Sequence, residues 1–458
     1  MSAGASGNDS HTGFDRMNLS STHTANELPL TVSDATNSVP TEVPWHGVRV
    51  WKTYLVGSDR GYLVAFTIIL LTYVVEAPLR FGLGVLFTDK IIYLRDVASA
   101  LCVAAAMLSW FQGQGSAYVV VTGGAILMLH TLIGVVTLNT FAQPLFGLKI
   151  VAPFLLGLTV APLLRIRIPQ VSTFAGWCFV ITAVGVVMNI WVEFPWVGME
   201  FDSPVGKLQL SRQWWSGGGL RLPGFTRASY IAAQIILATL VPLLAAASSA
   251  FKRLSLLGLA ATVIALTTTK GAWSGLLLLL ICDSLTFAGL AHVAGAVLAL
   301  AFFACLALPI IGVQFGRIGP PVPTWAESFM ERLGDMWPRA FDLYDGPVSV
   351  VLGRGIGGIG MAQKLGEERI FNAADNLMVF LLVSLGIAGP IYLGWLIVRV
   401  AVAVRHVPVA LPTRWACGWL AVLLGVGLTT GMIEEPVTNI TLGISFGLMF
   451  VPRQVAAA

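Results

Sequence analysis

The sequence predicts an all-α integral membrane protein with about twelve transmembrane helices and two long extracytoplasmic loops. Three observations predict it. The 458 residues are 56% hydrophobic and only 11% charged, far from the make-up of a soluble globular domain. Apolar runs long enough to span a bilayer, roughly 17 to 25 residues, recur along the chain. The basic residues between them gather on one side of the predicted membrane, as the positive-inside rule requires.

Residues 1–60 are rich in Ser, Thr, Asn and Asp and hold no long apolar run. They read as a cytoplasmic, largely disordered tail and not as a cleaved signal peptide. Within it, Trp45 to Arg60 carries two tryptophans and several basic residues, a composition that suits a segment lying on the membrane surface. The polytopic domain covers 61–452, with apolar runs at 62–79, 91–112, 116–138, 147–164, 171–191, 228–249, 253–268, 271–287, 289–312, 375–398, 414–432 and 437–452. Residues 453–458 form a second cytoplasmic tail. With the N-terminus inside, the short inner loops and their flanks carry Arg165, Arg167, Lys252, Arg253, Arg399, Arg405 and Arg414, and the tail carries Arg453. The same orientation puts both long loops, 192–227 and 313–374, on the outer face. Function is therefore expected outside the cytoplasm.

Cys102, Cys178, Cys282, Cys305 and Cys417 all lie in apolar segments, which suggests neither a disulfide framework nor a cysteine metal site. The net charge of +4 favours no partner class by itself. No internal repeat is evident, and short inner loops against long outer ones suit an extracytoplasmic site better than alternating access.

Ionisable residues converge on the predicted outer half. Glu76, Arg95, Asp96, Lys149, Lys270, Glu434 and Glu435 sit at helix ends on that side, and His130 falls just inside it. Charges in a membrane are costly, so each is a candidate for a shared site, with snorkelling or a structural ion pair as the alternative. His130 reads as a satisfied interior histidine. Arg95 and Asp96, being adjacent, point in different directions, so each needs its own partner.

Asp375-Asn376 opens a long apolar run and is followed after nine residues, Leu377 to Leu385, by Gly386-Ile387-Ala388-Gly389. Either polar residue can cap a helix, and a cap at the membrane surface can also face a substrate. The first outer loop contains Arg212, Trp214, Trp215, Gly217-Gly218-Gly219, Arg221, Pro223-Gly224-Phe225 and Arg227. Arginine forks bind phosphate oxygens bidentately, and aromatic faces suit sugar rings or lipid headgroups. An ordinary solvated loop is the plain alternative. The second outer loop carries Arg332, Trp337, Arg339, Arg354 and a run of glycines in which Gly355, Gly357 and Gly360 match G-x-G-x-x-G. No βαβ unit follows, so a dinucleotide site is not expected. The glycines allow a tight turn or a close approach to a ligand, and a plain flexible turn is the reading preferred.

On these residues the chain resembles the bacterial O-antigen ligase and polysaccharide polymerase superfamily of membrane glycosyltransferases, most closely an exopolysaccharide polymerase of the xanthan type. Asn376, the nine residues to Leu385, Gly386 and Gly389 keep the spacing of the family's ligase motif, with Asp375 standing where a ligase has His. Arg221 with Gly224 is similar to its Arg-x-x-Gly segment, Arg332 to its second loop arginine, and Thr269-Lys270-Gly271 to its Ser-Arg-Gly turn.

The resemblance implies an enzyme of the bacterial inner membrane with its active site facing the periplasm. It would polymerise undecaprenyl-pyrophosphate-linked oligosaccharide repeats into exopolysaccharide or O-antigen, without cofactor or essential metal. Its partners would be that lipid-linked substrate, membrane lipids, and chain-length regulator and export proteins, with no nucleic acid. Asp375, Arg221 and Arg332 take the catalytic roles in this expectation. Arg212, Arg227, Lys149, Lys270, Arg339, Arg354, Asn376, Glu434 and Glu435 are the substrate-binding candidates, and Glu434 or Glu435 is an alternative base. Transfer of a finished glycan to lipid A core or protein is the rival within the enzyme class, and a polysaccharide flippase the rival outside it.

Overall fold

A computed structural model describes residues 48–111, 117–216, 219–315, 324–406 and 408–450. The expected tails at 1–47 and 453–458, Arg453 and Gly217-Gly218 lie outside the described residues. The chain divides into two units, 1–52 and 53–458, and the membrane spans, cavities and site all belong to the second.

Helices dominate, and the described part of each apolar run lies mainly on helical residues. In chain order they are α1 (Val48–Val74), α2 (Glu76–Leu86), α3 (Leu94–Phe111), α4 (Tyr118–Thr137), α5 (Ala142–Val151), α6 (Pro153–Ile166), α7 (Ile168–Met188), α8 (Ser229–Ala246) and α9 (Ala250–Thr267). There follow α10 (Lys270–Phe287), α11 (Ala291–Phe315), α12 (Thr324–Glu331), α13 (Trp337–Phe341), α14 (Pro347–Leu352), α15 (Leu377–Leu385), α16 (Ala388–Ala403), α17 (Leu411–Gly427) and α18 (Pro436–Phe450). Among the described residues, 8 helices are long and apolar enough to cross a membrane, or 9 if a pair bent by 91° at Val75 forms one span. The other runs are also helical but shorter or broken: α15 with α16, α17, and α18. This is the architecture of an all-α, multi-pass membrane protein.

Lipid is as apolar as leucine, so helices in a bilayer associate through close backbone packing. The sequence supplies small residues four apart on facing helices. Gly157 and Ala161 of α6 meet Gly443 and Gly447 of α18. Gly271 and Gly275 of α10 meet α17, where a Cβ on Gly425 would lie 2.6 Å from the Gly275 Cα.

The predicted inner-side cations have structural work. Arg165 and Arg399 donate to the Leu448 and Met449 carbonyls at the end of α18, satisfying groups the helix leaves open. Arg253 pairs with Asp283, and Arg414 approaches the same carboxylate at 3.7 Å.

The described residues of the two long loops form ordered structure. In the first, two small antiparallel hairpins form, β1 (Glu200–Ser203) with β2 (Gly206–Gln209) and β3 (Trp214–Ser216) with β4 (Gly219–Arg221). The glycine segment of the second loop differs from the flexible turn expected. Gly353 to Gly360 are buried, wedged against α4 and α5, and the Ile356 N–H donates to the His130 carbonyl at 3.0 Å. A Cβ on Gly355 would collide with Gly134, and one on Gly357 would lie 2.6 Å from the Gln143 oxygen. Helix packing, not flexibility, is the reason for these glycines.

Gly386 ends α15 with φ +62° and packs on the turn after α14, where a Cβ would collide with the Val351 carbonyl oxygen. Gly386→Ala is therefore expected to destabilise the fold by about 1–3 kcal/mol. Thermal unfolding in detergent reads it, and an unchanged midpoint would contradict the packing.

Candidate functional site

Between the loops and the helix ends below them lies a cavity of about 930 Å³. Seven described cations line it: Lys207, Arg212, Arg221, Arg227, Lys270, Arg332 and Lys364. Four carboxylates face them: Glu200, Asp375, Glu434 and Glu435. The excess of positive charge suits it to an anionic ligand.

The first loop positions its arginines through Trp214. The Arg212 and Arg221 guanidinium carbons lie 4.6 and 5.1 Å from the centroid of that ring, within cation–π range. Arg212 is also fixed by its backbone N–H, which donates to the Arg227 carbonyl at 2.8 Å. Burial pulls the pKa of Arg221 below the ordinary value, and the positive charges of Arg332 and Arg212 pull it further. Like charges held together in this way favour a ligand that neutralises them.

Arg332 sits on a π-helical turn between α12 and α13. Its Nε donates to Asp375 Oδ2 at 3.1 Å, its Nη2 lies 3.0 Å from the same oxygen as an ion pair, and its Nη1 donates to the Ser328 carbonyl and hydroxyl. Asp375 is held in an uncommon conformation. Ala374 and Asp375 have φ of +61° and +37°, a region that non-glycine residues seldom occupy. Asn372 braces the turn: its Oδ1 accepts from the Ala374 N–H and its Nδ2 donates to the Met336 carbonyl. Another left-handed residue, Thr268 with φ +50°, precedes Thr269 and Lys270 on the cavity wall.

The carboxylates divide by partner. Glu435 lies 3.7 Å from Arg227, with Tyr230 beside them on the same cavity wall. Burial pulls the pKa of Arg227 down, but Glu435, Tyr230 and Glu76 together outweigh it and hold it above the ordinary value. Glu434 lacks an equal cation. Burial pushes its pKa up to about 7; the Met361 N–H, donating to Oε1 at 2.6 Å, draws it back, while Glu435 and Asp375 push it higher. A carboxylate poised near neutrality is suited to proton transfer.

Comparison with known proteins finds no matching family model and no matching curated protein. The reading of the site therefore rests on its own geometry.

Of the twelve residues expected to have catalytic or substrate-binding roles, Asp375, Arg221, Arg332, Arg212, Arg227, Lys270, Glu434 and Glu435 meet in this one cavity. Four lie elsewhere. Lys149 pairs with Asp96 at 3.3 Å over the Tyr93 ring, beside a second network in which Glu76 binds Arg80 and Arg95. Arg95 and Asp96 thus have partners of their own, although Arg95 Nε also lies 3.6 Å from Asp96 Oδ1. Arg339 is exposed and pairs with Asp335 one turn away. Arg354 is buried and forks onto Glu367 at 2.7 and 3.1 Å, with Gln143 on the same carboxylate. Asn376 is fully buried as the N-cap of α15, accepting from Met378 and Val379 and donating to the Leu428 carbonyl. The capping role falls to Asn376 alone, which leaves Asp375 facing the cavity.

Asn376→Ala is expected to cost about 1–2 kcal/mol of stability as a lost cap, while the correctly folded fraction keeps its activity. Thermal unfolding and specific activity, measured together, separate the two. Lys207, Lys364, Glu200 and Tyr230 also line the cavity and were not singled out in the sequence. The two lysines carried the same signal as the arginines, a basic residue in an outer loop. Among the described residues no group of three or more His, Cys, Asp or Glu is arranged to hold a metal ion.

Proposed function

We propose that the chain is a lipid-linked oligosaccharide polymerase, joining undecaprenyl-pyrophosphate-linked repeats at the outer face of the bacterial inner membrane, with about twelve spans in all. The observation that carries the proposal is the convergence of Arg212, Arg221 and Arg332 with Asp375 and Glu434 in one cavity at the helix ends. A glycosyl transfer of this kind forms a bond between an acceptor hydroxyl oxygen and the donor anomeric carbon. The bond from that carbon to the pyrophosphate oxygen breaks as the new one forms. The charge grows on the departing pyrophosphate, where preorganised guanidinium groups stabilise it. The acceptor proton goes to a carboxylate, and Glu434 suits that role. Asp375, already bound to Arg332, aims that guanidinium and can accept from an acceptor hydroxyl.

The test is the pattern of lipid-linked intermediates in cells whose chromosomal copy is replaced by Arg221→Ala, Arg332→Ala or Asp375→Ala at normal expression. High-molecular-weight polymer is expected to vanish while single, outward-facing repeats accumulate. Normal polymer length in all three would sink the site. Repeats left facing the cytoplasm would favour a flippase, and intact polymer never joined to lipid A core would favour a ligase.

A further inference from the structure

A second cavity, of about 390 Å³, runs through the membrane domain below the cationic one. Its walls are nearly all apolar. On α18 the lining residues Asn439, Leu442, Phe446 and Phe450 recur at helical spacing, so one face of that helix forms the floor from end to end. Thr122 and Ile126 of α4 form a facing wall. Ile391 and Trp395 of α16, 61% and 55% exposed, mark a lateral opening. Ile150 and Glu434 line both cavities, so the apolar groove abuts the cationic chamber at these two residues.

We propose that this groove holds the polyprenyl chain of a prenyl pyrophosphate whose head lies among the arginines, an inference that rests on the polymerase reading. The shape and charge together select the occupant. A long hydrocarbon chain lies along the α18 face, and the cationic chamber at its end takes a multiply charged anion better than the single charge of a common phospholipid. Leaving lipid for an apolar groove brings a chain no hydrophobic gain, so the groove acts by position. It fixes where the pyrophosphate sits relative to Arg332 and Glu434, and it admits a chain sideways past Ile391 and Trp395. A further apolar pocket, of about 320 Å³ and lined by α1, α7, α8 and the Ile440–Ile444 face of α18, shares no lining residue with the cationic chamber and serves as the internal control.

The experiment uses the full chain in nanodiscs with undecaprenyl pyrophosphate carrying a diazirine in its chain, and maps the photolabelled peptides by mass spectrometry. Labelling, assigned to single residues within the peptides, is expected on α4 and on the Leu442 and Phe446 face of α18, displaced by unlabelled undecaprenyl pyrophosphate and resistant to a tenfold excess of phosphatidylglycerol. Thr122→Trp and Leu442→Trp, two independent ways to fill the groove, are each expected to cut labelling at least fivefold. Thr441→Trp, in the control pocket, is expected to leave it unchanged. Equal displacement by phosphatidylglycerol would overturn the proposal by showing an ordinary lipid groove, as would label spread over the outer helix surfaces or concentrated in the control pocket. Polymerisation without groove labelling would sink the groove alone. Groove labelling without glycosyl transfer would sink the polymerase reading and leave a prenyl-pyrophosphate site.

Discussion

Arg332→Ala is expected to lower the rate of polymer formation by about 100- to 1000-fold, the loss typical of removing a preorganised donor to a developing oxyanion. Arg332 is held from two sides, by Ser328 and by Asp375, so its charge is already in place beside the cavity when a pyrophosphate arrives. Its positive charge is also one of those that depress Arg221, and removing it would relax that repulsion and weaken the anion site as a unit. Arg332→Lys keeps the charge and loses the planar fork, so it is expected to restore only part of the rate. Because Asp375 acts on the same guanidinium, the double variant Arg332→Ala/Asp375→Ala is expected to lose less than the two single losses multiplied. The ratio of polymer to single lipid-linked repeats reads all three. Full activity in Arg332→Ala would remove this arginine from the site.

Glu434→Gln is expected to slow transfer by about 100- to 10,000-fold, the range for loss of a general base. Its pH profile distinguishes chemistry from structure. A base works deprotonated, so with a pKa of about 7 the wild-type rate is expected to fall as pH drops below about 7 and to level off above it. The Gln variant should lack that limb. The stability effect has the opposite sense. A carboxyl whose folded pKa lies above its ordinary 4.5 gives stability that is present at acid pH and lost as pH rises through about 7. Gln resembles the protonated form and can still accept from Met361, so the variant should be no less heat-stable than wild type at pH 8. An unchanged acid limb in Glu434→Gln would place the base elsewhere, with Asp375 next in line.

Much of the membrane domain was legible because hydropathy over a span-length window responds to composition alone. The runs at 91–112 and 171–191 correspond to Leu94–Phe111 and Ile168–Met188. What hydropathy misses is direction. The bend at Val75 falls inside the run 62–79, where Glu76 and Pro78 mark a break but hydropathy gives no angle. The break between α5 and α6 also left a mark, since Pro153 opens α6 and a proline suits a first helical turn. The small residues that join α6 to α18 were equally present in the sequence, but their partner faces emerge only when the helices are assembled.

The site was legible in part for a similar reason. Basic residues in outer loops pointed to Arg212, Arg221 and Arg332, and adjacent carboxylates between two apolar runs pointed to Glu434 and Glu435. The same signal also selected Arg354 and Arg339, which form ion pairs within the second loop. Spacing along the chain does not tell an arginine aimed at a ligand from one aimed at Glu367. The glycines of the second loop misled because a positive φ serves a flexible turn and a buried wedge alike.

The most direct measurement of the central claim is transfer by the purified chain in proteoliposomes supplied with a single undecaprenyl-pyrophosphate-linked repeat. The account predicts products of two or more repeats, with undecaprenyl pyrophosphate released one for one with each new glycosidic bond. Repeats that cross the bilayer unaltered, with no bond formed and no pyrophosphate released, would contradict it.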